Sequence, residues 1–123
     1  MIATVDSIRK IQINGQVYPI TTQYFGFAVG AGQTILAANA TQRHRVYAMS
    51  LQSSGGAGIS FVTIKTGATS RFGLYLPPAT GGFMNFIPFI EEGYFETATN
   101  EALTIDVVTA AAVINLTYIT YTP

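Results

Sequence analysis

The 123-residue chain is 49% hydrophobic yet holds only six Lys or Arg, six Asp or Glu and one His, for a formal net charge of zero. A charged fraction of 10%, against roughly 25% in an average soluble domain, excludes a basic nucleic-acid footprint and a polybasic membrane patch. The lack of Cys removes disulfide frameworks, thiolate catalysis and cysteine metal sites, and a single His leaves no multi-histidine centre.

This length implies one domain. A folded monomer of its mass exposes on the order of 6,400 Å², which gives each charge roughly 500 Å². A surface so poor in charge points to an oligomer in which subunits cover one another. The sequence opens Met1-Ile2-Ala3-Thr4-Val5-Asp6, with neither the basic nor the apolar region of a secretory signal. The longest nearly apolar run, Val107 to Ile114, falls far short of the ~20 residues needed to span a bilayer. Cytosolic synthesis is the expectation. The sequons at Asn39 and Asn115 carry little weight in that context.

In chain order, the first element is a hairpin. Asn14-Gly15 lies between Ile11-Gln12-Ile13 and Gln16-Val17-Tyr18, the pattern of a two-residue type I′ turn. That register pairs Ile13 with Gln16, Ile11 with Tyr18 and Lys10 with Pro19. Ile11, Ile13 and Tyr18 then share one face, and Pro19 marks a strand edge or end. Residues 1–22 are read as an N-terminal arm or hairpin and 23–123 as the main domain. The hairpin's apolar face must dock on the sandwich or on a partner, because an isolated two-stranded hairpin is marginal in water.

Short strands follow at 24–29, 33–38, 43–52, 58–65, 71–76, 83–88, 94–97, 102–108 and 112–121. They are separated by turn signals such as Gly30-Ala31-Gly32, Ser53 to Gly58 and Pro77 to Gly82. Sixteen Thr suit half-buried strands, and no window keeps a helical apolar stripe free of Gly or Pro. Along 103–107, Leu103, Ile105 and Val107 oppose Thr104 and Asp106. Along 43–52, Tyr47, Met49 and Leu51 form the expected inward face, with His44 and Ser50 outward. Ile59 to Ile64 is apolar on both faces, with Phe61 opposite Val62 and Ile64, as a strand between a core and a subunit interface would be. The expected fold class is all-β: an antiparallel jelly-roll β-sandwich of about eight strands with an N-terminal hairpin.

Catalytic chemistry finds little footing. His44 stands between Arg43 and Arg45 with no sequence-local carboxylate to orient it, and no Gly-x-Ser-x-Gly elbow is present. Glu91, Glu92, Glu96, Glu101 and Asp106 hold most of the carboxylates. Paired acids can hydrolyse glycosides or bind Ca²⁺, but no Asp-x-Asp-x-Asp-Gly pattern lies near them. They read better as solvated acids, or as acids answering Arg43, Arg45 and Arg71 across an interface. Ser53 to Gly58 lacks the Lys-Ser/Thr ending of a phosphate cradle and precedes a strand, so it reads as a hairpin loop. No enzyme, cofactor, metal, nucleic-acid or membrane role is expected.

The stretch Phe86 to Ile105 resembles a module of small tailed-bacteriophage virion proteins. Its features are a Pro-bearing strand, Gly93-Tyr94-Phe95-Glu96-Thr97, and Asn100-Glu101-Ala102-Leu103 leading into an alternating strand. Arg43 to Leu51, Val62 to Gly67 and the final Tyr118-Ile119-Thr120-Tyr121 are similar to its flanking strands, so the resemblance covers about residues 33–121. It implies a capsid decoration, or cement, protein: a jelly-roll homotrimer that clamps adjoining major capsid protein subunits. Such a protein is made in the host bacterial cytoplasm and resides on the virion's capsid surface. The Gly-Tyr-Phe-Glu-Thr stretch also has a physical reading of its own, in which Gly93 turns the chain, Tyr94 or Phe95 enters the core, and Glu96 and Asn100 bond exposed turn amides. The candidate capsid or subunit contacts are Ile11, Ile13, Tyr18, Arg43, Arg45, Phe61 and Arg71. The alternative is a receptor- or sugar-binding tail or fibre-head module.

Overall fold

A computed structural model describes residues 10–55, 58–79 and 84–123. The expected loop at Ser53 to Gly58, the turn at Pro77 to Gly82 and the start of the 83–88 strand therefore lie partly outside the described residues, as does most of the segment before the hairpin.

The hairpin forms in the expected register. β1 (Lys10–Ile13) and β2 (Gln16–Pro19) pair Ile13 with Gln16, Ile11 with Tyr18 and Lys10 with Pro19. Asn14 (φ 51) and Gly15 (φ 80) supply the two positive φ angles that a type I′ turn demands. The strands that follow are β3 (Thr21–Phe27), β4 (Gly30–Leu36), β5 (Arg43–Ser53), β6 (Ser60–Thr66) and β7 (Thr69–Leu76). They continue with β8 (Asn85–Ile87), β9 (Phe95–Glu96), β10 (Leu103–Val108) and β11 (Ala112–Tyr121). The described residues include no α-helix.

Beyond the hairpin the strands build two sheets stacked as a sandwich. One sheet runs β3-β11-β5-β8, with β9 also on β5; the other runs β4-β10-β6-β7. All pairings are antiparallel. Four of them nest inside one another along the chain: β3 with β11, β4 with β10, β5 with β8 and β6 with β7. Alternation drives the stacking. Leu103, Ile105 and Val107 of β10 and Val62 and Ile64 of β6 meet Met49 and Leu51 of β5 and Ile114 and Leu116 of β11 in one core. Each of these side chains is at most 3% exposed, so its burial contributes ~1.5–3 kcal/mol.

Two local irregularities redirect side chains. Along β5 the pairing to β11 jumps from Ala48–Thr117 to Val46–Tyr118, leaving Tyr47 as a bulge residue. The extra residue reverses parity, because strand faces alternate with period two. Val46 and His44 therefore join the inner side, and Tyr47 turns to the outer face of the sheet. This corrects the expectation of Tyr47 inward and His44 outward. The Gly30-Ala31-Gly32 signal marks an irregularity within β4 rather than a turn between strands. The register shifts there, Gly32 takes φ 64, and its amide donates to the Asp106 carboxylate at 2.7 Å.

The connection from β10 to β11 holds Thr109 at φ 82, a costly conformation for a β-branched residue. Buried Ser60 brackets it, its hydroxyl lying 3.0 Å and 2.8 Å from the Val108 and Ala110 carbonyl oxygens. Replacing Thr109 by Gly removes strain of ~1–3 kcal/mol and adds ~0.4–1 kcal/mol of unfolded-state entropy. The Thr109→Gly variant is expected to be more stable by about 1 kcal/mol. Urea denaturation checks this, and an unchanged or lowered midpoint would count against strain at this position.

Candidate functional site

Three surfaces of the sandwich hold the candidate residues. The first is the outer face of the β3-β11-β5-β8 sheet at the end that the hairpin covers. β11 turns Ile119 and Tyr121 outward, and the bulge adds Tyr47. Ile11, Ile13 and Tyr18 of the hairpin pack on these three, together with Ile20 and Phe89. Tyr18 meets the Tyr121 ring edge-on at 6.0 Å, and Phe89 stacks on Tyr47 at 5.4 Å. The Tyr18 hydroxyl also lies 3.3 Å from the Thr122 amide. The hairpin forms a sheet of its own, so side chains rather than a shared ladder hold it in place. Ile11, Ile13 and Tyr18 thus dock on their own chain, the first of the two partners their apolar face allowed.

Beside this cluster lies an ionic network. Glu96 receives Arg43 Nη1 at 3.0 Å on Oε2, and Arg45 Nη2 at 2.7 Å and Nε at 2.8 Å on Oε1. The Tyr121 hydroxyl donates to Glu96 Oε2 at 2.8 Å and takes a bond from Arg45 Nη2 at 3.1 Å. The Arg45 guanidinium stands 4.9 Å from the Tyr121 ring centre, a cation–π distance. The pairing of Arg45 with Glu96 across β5 and β9 sets this geometry. Glu96 therefore binds cations of its own chain, which corrects the expectation that it bonds turn amides. Burial raises the Glu96 pKa, but the bonds from Tyr121, Arg43 and Arg45 outweigh it and hold the carboxyl below its usual range.

His44 is engaged at both ring nitrogens. Nδ1 lies 2.8 Å from the Thr120 hydroxyl and Nε2 2.8 Å from the Ala37 carbonyl oxygen. Its backbone amide donates to the Thr97 hydroxyl at 3.0 Å. The motif around it plays structural parts. Gly93 adopts φ 75, and a Cβ there would fall 2.9 Å from Arg45 Cγ. Phe95 packs on the core, while Tyr94 stays 37% exposed and donates to the Pro88 carbonyl. Asn100 takes φ 60, and Glu101 accepts the Ala98 amide.

The second surface is the outer face of the β4-β10-β6-β7 sheet. Val108, Phe61 and Tyr75 sit opposite one another on three adjacent strands. Phe61 and Tyr75 rings lie 4.7 Å apart, and Phe61 reaches across the bare Gly73. Tyr75 is 71% exposed, and Val108 and nearby Ile59 are also exposed. Arg71 falls where the β6–β7 register slips; its Nε donates to the buried Thr66 hydroxyl at 2.8 Å. Phe61 and Arg71 thus belong to the sheet opposite the one that holds Arg43 and Arg45. Tyr75 escaped the sequence reading although its signal was there: Phe72, Leu74 and Leu76 alternate with Arg71, Gly73 and Tyr75.

The third surface is an open groove of about 280 Å³ beside the hairpin, with Ala48, Ser50, Phe86, Asn115 and Thr117 among its lining residues. No three His, Cys, Asp or Glu side chains converge on a metal-sized space among the described residues.

No protein-family model matches the chain, and no curated protein does. Among solved structures, it is similar to a chain described under the words "Bacillus endospore appendages form a novel family of disulfide-linked pili". That similarity has a TM-score of 0.46 and 17% identity, over 91% of this chain and 95% of that one.

The Glu96 network predicts a specific pH signature. A carboxylate with a depressed folded pKa contributes stability above its unfolded pKa of ~4.3 and loses it as pH falls through the folded value. Glu96→Gln is expected to cost on the order of 1 kcal/mol at neutral pH. The gap between the two proteins should close as the medium is acidified. Denaturation midpoints across pH 7 to 2 measure it, and a gap that stays constant would show that the carboxylate charge contributes nothing.

Proposed function

We propose that this chain is a structural virion protein that decorates and stabilises a tailed-phage capsid as a homotrimer, bridging adjoining major capsid protein subunits. What carries this reading is the row formed by Val108, Phe61 and Tyr75, with exposed Ile59 two residues before Phe61 in the chain. Exposed Val108 and Tyr75 flank the half-buried Phe61, and an apolar row of this kind is unfavourable on a monomer and ordinary at an obligate interface. A surface of 6650 Å² shared among twelve charged residues supports the same reading.

The nested strand pairing supports a jelly-roll assignment for the sandwich. A single long hairpin with its tip between β6 and β7, rolled so that β11 meets β5 and β10 meets β6, produces both sheet orders. The phage-like segment from Phe86 to Ile105 supports the virion assignment through its structural turns and its core-directed Phe95. Such a protein is made in the host cytoplasm and works on the capsid surface without cofactor, metal or nucleic acid.

Light scattering on a sizing column is expected to give a mass three times that of the 13.2 kDa chain. Tyr75→Asp should weaken association at least tenfold, about 1.4 kcal/mol. A single monomeric species for the wild-type chain would refute the assembly. Tagged protein added to expanded, undecorated capsids should label the head at many sites; label confined to the tail tip would refute decoration.

A further inference from the structure

The turn of the hairpin carries a reactive pair of residues. Asn14 is followed by Gly15, and no other asparagine in the chain precedes a glycine. Both residues are exposed, and no described residue bonds the Asn14 side-chain amide. Nothing stands within 4 Å of where a Gly15 Cβ would lie, so the approach to its nitrogen is open. The closing hydrogen bond of a two-residue turn joins the residues on either side of it. Here those are Ile13 and Gln16, and the Gly15 N–H is left uncommitted. Beside the turn an open hollow of about 290 Å³, bounded also by Tyr18, Thr122 and Pro123, admits water.

The other asparagines are held differently. Asn39 accepts the Thr41 and Gln42 amides at 3.0 Å each and donates to Gln42 Oε1 at 3.2 Å. The Asn115 amide donates to the Ser50 hydroxyl at 3.3 Å. Asn85 is half-buried and precedes Phe86; Asn100 is exposed but precedes Glu101. In both cases a side chain shields the following nitrogen, which glycine does not do.

We propose that Asn14 is a site of self-modification, at which deamidation to an isoaspartyl linkage releases the hairpin. The Gly15 nitrogen gives up its proton and bonds to Asn14 Cγ; the Cγ–Nδ2 bond breaks, and ammonia leaves with that proton. Water then opens the five-membered imide. Cleavage at Cγ restores the main chain with Asp at this position. Cleavage at the Asn14 carbonyl carbon instead routes the main chain through Cβ, as isoaspartate. The Asp product keeps the turn, since Asp-Gly suits type I′ as Asn-Gly does. The isoaspartyl product adds a methylene to the main chain, and two positive-φ residues no longer bridge Ile13 and Gln16. A strand out of register presents its other face, so Ile11, Ile13 and Tyr18 lose their seat. Their release uncovers Tyr47, Ile119 and Tyr121, each at most 4% exposed in the docked state. The reaction needs no partner, so it stands apart from the capsid reading.

The test is ageing of the full chain at mildly alkaline pH. Digestion and tandem mass spectrometry locate the amide-to-acid change, and an isoaspartate-specific methyltransferase counts the rerouted linkage. Asn14 should convert roughly ten times faster than any other asparagine. The purified isoaspartyl chain should lose the hydrogen-exchange protection of the Ile11 and Tyr18 amides, while those of Ile105 and Ile114 keep theirs. Asn14→Gly retains a type I′ sequence as Gly-Gly and should age with neither change. Conversion of Asn14 no faster than that of Asn39, or an isoaspartyl chain with Ile11 and Tyr18 still protected, would overturn the proposal. So would loss of that protection in aged Asn14→Gly, since another event would then release the hairpin.

Discussion

β11 presents apolar side chains on both of its faces, and the arrangement of the molecule follows from where each set is buried. Ile114 and Leu116 point into the sandwich, while Ile119 and Tyr121, on the opposite parity, point outward near its end. The strand is central in its sheet, flanked by β3 and β5, so neither face can be relieved by moving to an edge. The inner face is covered by the second sheet. The outer one needs a separate cover, and the β1–β2 hairpin provides it. The bulge at Tyr47 completes this solution by turning one more large ring toward the hairpin rather than into an already filled core.

The same end of the sheet gathers much of the chain's charge. Arg43, Arg45 and Glu96 neutralise one another there, and Lys65 and Asp106 do so on the other sheet at 3.0 Å. The Gly32 amide, and after it Lys65, holds the Asp106 carboxyl below its usual range. Charges are therefore spent on fastening β5 to β9 and β6 to β10 and its neighbours. Exposed pairs of this kind add little stability singly. Glu96 differs because two guanidinium groups and a phenol converge on it, and removal of its charge would leave the Arg43 and Arg45 guanidinium groups without their counter-charge.

How much of this was legible depended on the range over which each feature is encoded. The hairpin register was readable because Asn14-Gly15 fixes it within ten residues. The alternation of Leu103, Ile105 and Val107 placed β10 correctly because nothing interrupts its inward set. The reading of β5 failed at Tyr47 and His44 for a definite reason: the strand is regular in composition, and only its pairing with β11, some seventy residues away, exposes the bulge. The partners of Glu96 were hidden by the same distance, since Arg45 lies 51 residues earlier in the chain. The Gly30-Ala31-Gly32 signal was half legible, because glycine marks an unusual backbone without saying whether it is a turn or a break in register.

Arg43, Arg45, Glu96, Lys65 and Asp106 pair within their own chain, and the Val108–Phe61–Tyr75 and Tyr24–Asn115–Ser50–Phe86 rows carry no charge. One sheet offers apolar rings in contact, Phe61 on Tyr75. The other offers rings separated by an amide and a hydroxyl. Apolar rings in contact favour a partner that removes them from water wholesale, and area alone rewards such contact. Between the rings of the other sheet, the Asn115 amide and the Ser50 hydroxyl bond each other, which leaves them less dependent on water. The two outer faces of the sandwich differ in chemistry, and the alternation of side chains along β5, β6, β10 and β11 lets each be set without disturbing the core between them.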